Sequence, residues 1–133
     1  MFTTAFEFTV HGGHHVIDSH EHDFRVRIEC VGGVATCGAT EGMVVDYRSL
    51  RRLVRSVLRP EVENVMLVRR GEESLAELKT CERFQPVPFR PTVENLAKHL
   101  FELAVSALAD HERSKVASIT VWENDSCMAT FAA

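Results

Sequence analysis

Five of the seven histidines lie between positions 11 and 22: His11, His14, His15, His20 and His22. The run His20-Glu21-His22 spaces two of them by two. On an extended backbone residues two apart point to one side, so both imidazoles can reach one ion. A third histidine from the preceding strand would complete the three-ligand, open-position arrangement of a catalytic zinc. His14 shares the parity of Phe8, Val10 and Gly12 and is the first choice; His11 is the alternative. A solvated histidine-rich loop is the competing reading, because H-x-H alone is a weak motif. Cys30, Cys37, Cys81 and Cys127 show no C-x-x-C spacing, so neither a zinc knuckle nor a dithiol redox pair is suggested. They read as reduced, mostly structural thiols of a reducing compartment. Cys127 follows a polar cluster and is the one to watch.

These residues need elements to position them. Phe6, Phe8 and Val10 alternate with Glu7 and Thr9, which predicts a half-buried strand, and the glycine- and histidine-rich segment then interrupts it. Phe24, Val26, Ile28 and Cys30 alternate with Arg25, Arg27 and Glu29 in the clearest strand. Gly32, Gly33 and Gly38 supply turns. A strand through Met43, Val44 and Val45 should complete a hairpin. Asp46 or Ser49 can cap a helix whose apolar stripe is Leu50, Leu53, Val54, Val57 and Leu58, with Pro60 as its stop. Val65 to Val68 reads as a short strand and Ser74 to Leu78 as a helical turn. Thr92 is a good N-cap and Glu94 suits the positive end of a second helix, striped by Leu96, Leu100, Leu103, Ala104 and Leu108. Val116 to Trp122 and Cys127 to Phe131 read as two more strands. The order predicts an α+β fold, an antiparallel sheet with both helices on one face. The other face then needs cover, and association with further copies would supply it.

A chain of 133 residues predicts one domain, 1–133, with one core. It is 45% apolar and 26% charged, ordinary for a globular protein. The net charge of -4 and scattered Lys and Arg leave no basic face, so nucleic acid is not an expected partner. No apolar run approaches the roughly 20 residues that span a bilayer, so no membrane partner is expected either. The N-terminal residues lack the pattern of a signal peptide, and the expected location is cytoplasmic.

Four separated segments carry a resemblance. They are the phenylalanine strand leading to His20-Glu21-His22; Glu41-Gly42-Met43-Val44-Val45-Asp46-Tyr47; Pro91-Thr92-Val93-Glu94-Asn95-Leu96; and Val121-Trp122-Glu123-Asn124 with Ala129 and Phe131 behind. In this order the chain resembles the 6-pyruvoyl-tetrahydropterin synthase and 6-carboxytetrahydropterin synthase family over nearly its whole length. The resemblance implies the T-fold, with subunits forming a β-barrel from their sheets, helices outside, and two trimers stacked into a homohexamer. It also implies active sites between subunits and a pterin-like or purine-derived small molecule as ligand. Glu123 matches the glutamate that clamps the pterin, and a carboxylate can accept two hydrogen bonds from a 2-amino-pyrimidinone edge. Thr92 and Asn124 complete the implied ligand-binding set, against a plain N-cap role for Thr92. The zinc cofactor of the family would fall to His20 and His22 with a first ligand from the preceding strand, His14 or, as the alternative, His11.

The chain also departs from that pattern. Glu21 replaces the glycine of the family's His-Gly-His, where glycine usually means close packing. Val16 stands where relatives carry the catalytic cysteine, and Val62-Glu63-Asn64 lacks the histidine of their Leu-Asp-His segment. Both parts of the acid–base relay are then missing, and no catalytic residue is assigned. Asp18, Glu21 and Cys127 are the substitutes at hand. The expectation is a binding protein that has lost the standard triphosphate elimination; a zinc-dependent lyase of the 6-carboxytetrahydropterin synthase type is the alternative.

Overall fold

In the computed structural model, which describes residues 1–133, the alternating segments become two long strands, β1 (Phe2–His15) and β2 (Ser19–Gly32). They pair antiparallel without a break from Phe2↔Gly32 to His15↔Ser19. The expected interruption at the histidines is therefore absent, and the cluster rides on the hairpin's far end. Gly12 explains part of this. A Cβ there would lie 2.3 Å from the Val62 carbonyl oxygen, so only glycine lets the following helix end approach the strand.

The first helical run comprises α1 (Tyr47–Leu53), a π-helical turn (Val54–Leu58) and α2 (Arg59–Val62). Asp46 caps it by accepting from the Arg48 amide. Pro60 does not stop the run as expected. Arg59 N–H donates five residues back to the Val54 carbonyl, and this widened turn accommodates a residue with no N–H to give. The strand expected through Met43 to Val45 is also absent. Val44 and Val45 form a bend, yet both still enter the core, and Lys115 Nζ donates to the Val44 carbonyl.

Asn64 N–H donates to the His11 carbonyl and ties the end of α2 to β1. β3 (Val65–Arg69) then runs parallel to β1, with His14 opposite Leu67. Its first four residues are all buried, the pattern of a strand covered on both faces. β4 (Arg83–Val87) pairs with β3 in parallel, reached through a 3-10 turn at Glu73–Leu75. α3 (Val93–Ala107) and α4 (Asp110–Arg113) precede β5 (Val116–Trp122) and β6 (Met128–Ala132). The sheet order is β4-β3-β1-β2-β5-β6. The α+β expectation holds, but the sheet is mixed rather than antiparallel, because β3 and β4 run parallel to β1.

One face carries Val10, Phe24, Val26 and Ile119 into a core of 25 buried residues shared with Leu50, Leu58, Leu96 and Leu100. Burial of this size is the main favourable term in folding, at about 25 cal/mol per Å² of apolar surface. The other face is polar. Arg27 reaches Glu7 and Glu29, Arg25 stacks on Trp122 at 4.0 Å, and the Thr120 and Thr130 hydroxyls bond at 2.7 Å.

Candidate functional site

His14 sits on the central strand of the sheet, held by β2 on one side and β3 on the other. It is buried at 4% exposure, and its Nδ1 lies 2.7 Å from the Pro91 carbonyl. A carbonyl only accepts, so Nδ1 must carry the proton and donate. The Nε2 lone pair of the neutral ring is then turned the other way, and it meets Glu123 Oε2 at 3.2 Å. His22 Nε2 lies 3.5 Å from the same oxygen. The imidazoles of His14 and His22 stand edge to face with centroids 5.1 Å apart, both against Phe24. One donor atom from each of His14, His22 and Glu123 lies within 4.8 Å of the others.

Strand parity builds this group. His14, Gly12 and Val10 share one face of β1, and His22, Phe24 and Val26 share the same face of β2. Glu123 lies two residues beyond Val121, which is fully buried and opposite Val26. Its amide donates to the Cys127 carbonyl, closing the turn to β6. The electrostatics oppose extra protons. Burial lowers the pKa of His14 below its ordinary 6.5, against the Pro91 bond and the Glu123 charge, which raise it. Burial also lowers His22, helped by its histidine neighbours. A lone pair facing a carboxylate repels unless a proton or a cation lies between. The residues present therefore fit a divalent ion: two imidazole nitrogens and a carboxylate oxygen converge, and the backbone fixes the ring of His14.

The remaining sequence-derived residues divide. His20 lies on the same face, its ring centroid 6.2 Å from His22, but outside the converging donor atoms. His11 lies on the opposite face, bonded to Asp23 at 2.8 Å and 3.9 Å from Glu21. Glu21 shares that outer face. It accepts from the Thr80 amide and hydroxyl at 2.7 Å each, which lowers its pKa, and so fastens the 77–81 loop to β2. Thr92 accepts from the Asn95 amide as the N-cap of α3 and also lines a cavity of about 260 Å³. His14, His20, Val16, Glu94 and Glu123 line the same cavity. Asn124 turns away from it. Its Oδ1 accepts from the Ser126 and Cys127 amides and shapes the turn. Asp18 lines a neighbouring cavity with His15, His20 and Lys79, and Cys127 is exposed.

Sequence reasoning missed two features. The Pro91 carbonyl as the partner that fixes His14 leaves no side-chain signal. Glu123 as a companion of the histidines could have been read from its parity with Ile119 and Val121.

Comparison with known proteins bears on the family and the fold. Residues 4–133 match the family model described as 6-pyruvoyl tetrahydropterin synthase. The chain is 25% identical over 136 residues to the 6-carboxy-5,6,7,8-tetrahydropterin synthase of Haemophilus influenzae, covering 92% of this chain and 93% of that one. Its fold matches the 6-pyruvoyl tetrahydropterin synthase of Caenorhabditis elegans with a TM-score of 0.72 at 17% identity, covering 99% and 95% of the two chains. The Plasmodium vivax 6-pyruvoyl tetrahydropterin synthase gives 0.72 at 13% identity, covering 100% and 99%.

Proposed function

Because the chain belongs to the 6-pyruvoyl tetrahydropterin synthase family, we propose that it binds a pterin-like or purine-derived molecule through Glu123 and does not perform the standard triphosphate elimination. The observation that carries this reading is the carboxylate of Glu123 on the cavity wall beside His14, His20 and Thr92. A carboxylate of 26% side-chain exposure is open enough for a ligand's paired N–H groups to reach it. The cavity of about 260 Å³ is a little smaller than the roughly 300–1,000 Å³ usual for small-molecule sites. That shortfall supports a wall contributed by a neighbouring copy in a homo-oligomer, with two stacked trimers as the proposed form.

The wall also supports the loss of the standard reaction. Val16 lines the cavity with a side chain that can neither hold nor move a proton. Of the four thiols, Cys30 is buried with its pKa pushed up to about 11, and Cys81 is turned to Glu21 on the outer face. Glu63 is occupied by Arg59, and Asn64 by backbone bonds to β1 and to Glu82. His14 and His22 would hold a divalent ion such as zinc, which when bound supplies Lewis-acid polarisation of a ligand oxygen. His14 and His22 themselves orient and desolvate that oxygen, and Glu123 holds the ring edge. The free cysteines support a reducing, cytoplasmic location.

A second reading is an active zinc-dependent lyase, supported in kind by the Haemophilus relative named 6-carboxy-5,6,7,8-tetrahydropterin synthase. It is favoured by Asp18, which shares a cavity with His15 and His20 and could supply the missing acid–base group. Two measurements test these readings. Pterin fluorescence titration should give binding that Glu123→Ala abolishes; equal binding by the variant overturns both. Turnover of dihydroneopterin triphosphate, with and without zinc, should be absent under the first reading and present, and sensitive to Asp18→Asn, under the second.

A further inference from the structure

The corner where α3 turns into α4 faces the first helical run across a cavity of about 410 Å³, a size usual for small-molecule sites. It shares no lining residue with the cavity of Glu123. Glu112 of α4 lines it, and this carboxylate-bearing residue is buried at 8% exposure. Its one ion-pair neighbour is His111, 3.9 Å away on a side chain left 78% exposed. No hydrogen-bond donor of the protein reaches its carboxylate. Lys115, three residues on, spends its Nζ on the Gly33 and Val44 carbonyls. Arg27 Nε is the one side-chain nitrogen or oxygen sealed off without a partner, so the unpartnered oxygens of Glu112 must open on the cavity. The charge also borders the core. After burial itself, it is the next cause that pushes the Cys30 thiol up to about 11.

We propose that this cavity is a second binding site, for a small zwitterion of the amino-acid class held at its ammonium end by Glu112. A buried carboxylate without partners is costly, and a bound cation that donates hydrogen bonds removes the cost. An ammonium brings three N–H donors to an acceptor that no protein donor reaches. Arg52 lines the same cavity from α1, is exposed and forms no ion pair, so its guanidinium is available to the ligand's carboxylate. Ser49 and Ser56 add hydroxyls. Leu53, Val57 and Leu108 supply apolar wall for an aliphatic side chain. A positive end, a negative end and an apolar body are thus asked of one small molecule. Glu112 and Arg52 do not themselves meet, and the space between α1 and α4 is what the ligand would fill.

The test is saturation-transfer NMR on the full chain with matched probes. They are L-leucine, 3-methylbutan-1-amine, which keeps leucine's ammonium and side chain, and 4-methylpentanoate, which keeps its carboxylate and side chain. Leucine should bind in the millimolar range usual for so small a ligand, the amine within about tenfold of it, and the acid at least about tenfold more weakly than leucine. Glu112→Gln keeps the shape and removes the charge, and it should weaken leucine and the amine by about tenfold or more. Without ligand, the same variant should melt a few degrees above wild type, because an uncompensated buried charge has gone. No saturable binding of leucine overturns the proposal, as does binding that Glu112→Gln leaves unchanged or a preference for the acid over the amine. A Glu112→Gln protein that melts below wild type also overturns it. If Arg52→Ala and the double variant then lose the same amount, the two side chains form a structural bridge instead.

Discussion

Replacing Gly12 by alanine should unfold the site from behind. The new methyl group would lie 2.3 Å from the Val62 carbonyl oxygen and 2.9 Å from Val62 Cγ1. Ordinary contact begins near 3.4 Å, so strand and helix end must part by about 1 Å. Neither can do so freely. β1 is paired on both sides at this level, and Asn64 N–H is bonded to the His11 carbonyl one residue away. Overpacking against backbone lies at the upper end of the usual range, so the cost is about 3 kcal/mol. For a chain of this size that lowers the melting temperature by roughly 10 °C. The assay is thermal and urea unfolding at one fixed protein concentration, since association would shift the midpoint. Gly33→Ala is the control, because nothing lies within 4 Å of a Cβ there, and it should change stability by no more than about 0.5 kcal/mol. A Gly12→Ala protein that melts within a degree or two of wild type would refute the close approach of α2 to the histidine strand.

Thr92→Ala removes the hydroxyl that accepts from the Asn95 amide and should cost about 1 kcal/mol in urea unfolding, with Thr92→Ser close to neutral. The metal-free protein should lose stability on acidification. His14 and His22 have folded pKa values below their ordinary 6.5, so the unfolded chain binds more protons just below that pH and stability falls as pH falls through that range. His14→Gln should flatten the dependence of the urea midpoint measured from pH 7.5 down to 5.5 in chelator; an unchanged slope would contradict a buried neutral His14. Iodoacetamide at pH 8 should label the exposed Cys37 and Cys127 first. Cys30 and Cys81, each with its pKa pushed up to about 11, should react roughly a hundredfold more slowly, read by peptide mass spectrometry. Glu21→Gly should free the 77–81 loop and accelerate hydrogen exchange at the Thr80 amide, which Glu21 now holds.

Much of the fold was legible because its signals are local. Alternation in β2, the Thr92 cap and the stripe of α3 each depend on neighbours a few residues apart. The Val65 to Val68 strand was also readable, from four apolar residues in a row. What escaped depended on distant partners. Met43 to Val45 carries strand-forming residues, yet they join no strand, and Val44 and Val45 serve the core from a bend. Pro60 carries a stop signal that a single π turn overrides. The parallel pairing of β3 with β1 follows from how the end of α2 is tied to His11, which the sequence does not state. At the site, parity separated His14 from His11, while the position of Glu123 against His14 and His22 needed the sheet register.

The unbroken pairing of β1 with β2 also bears on how the site comes into being. The hairpin closes through only three residues, Val16 to Asp18, and its contacts are local, so it can zip within microseconds while the rest of the chain is still searching. His14 and His22 thus meet early, on a two-stranded ribbon that is only marginally stable by itself. Glu123 arrives only when β5 docks against β2, and Pro91 only when α3 packs. An ion met by the nascent ribbon would find two exposed imidazoles and exchange freely. The group of His14, His22 and Glu123 is complete only once the last strands dock, so completion of the chain, rather than the histidines alone, sets the moment at which the site is assembled.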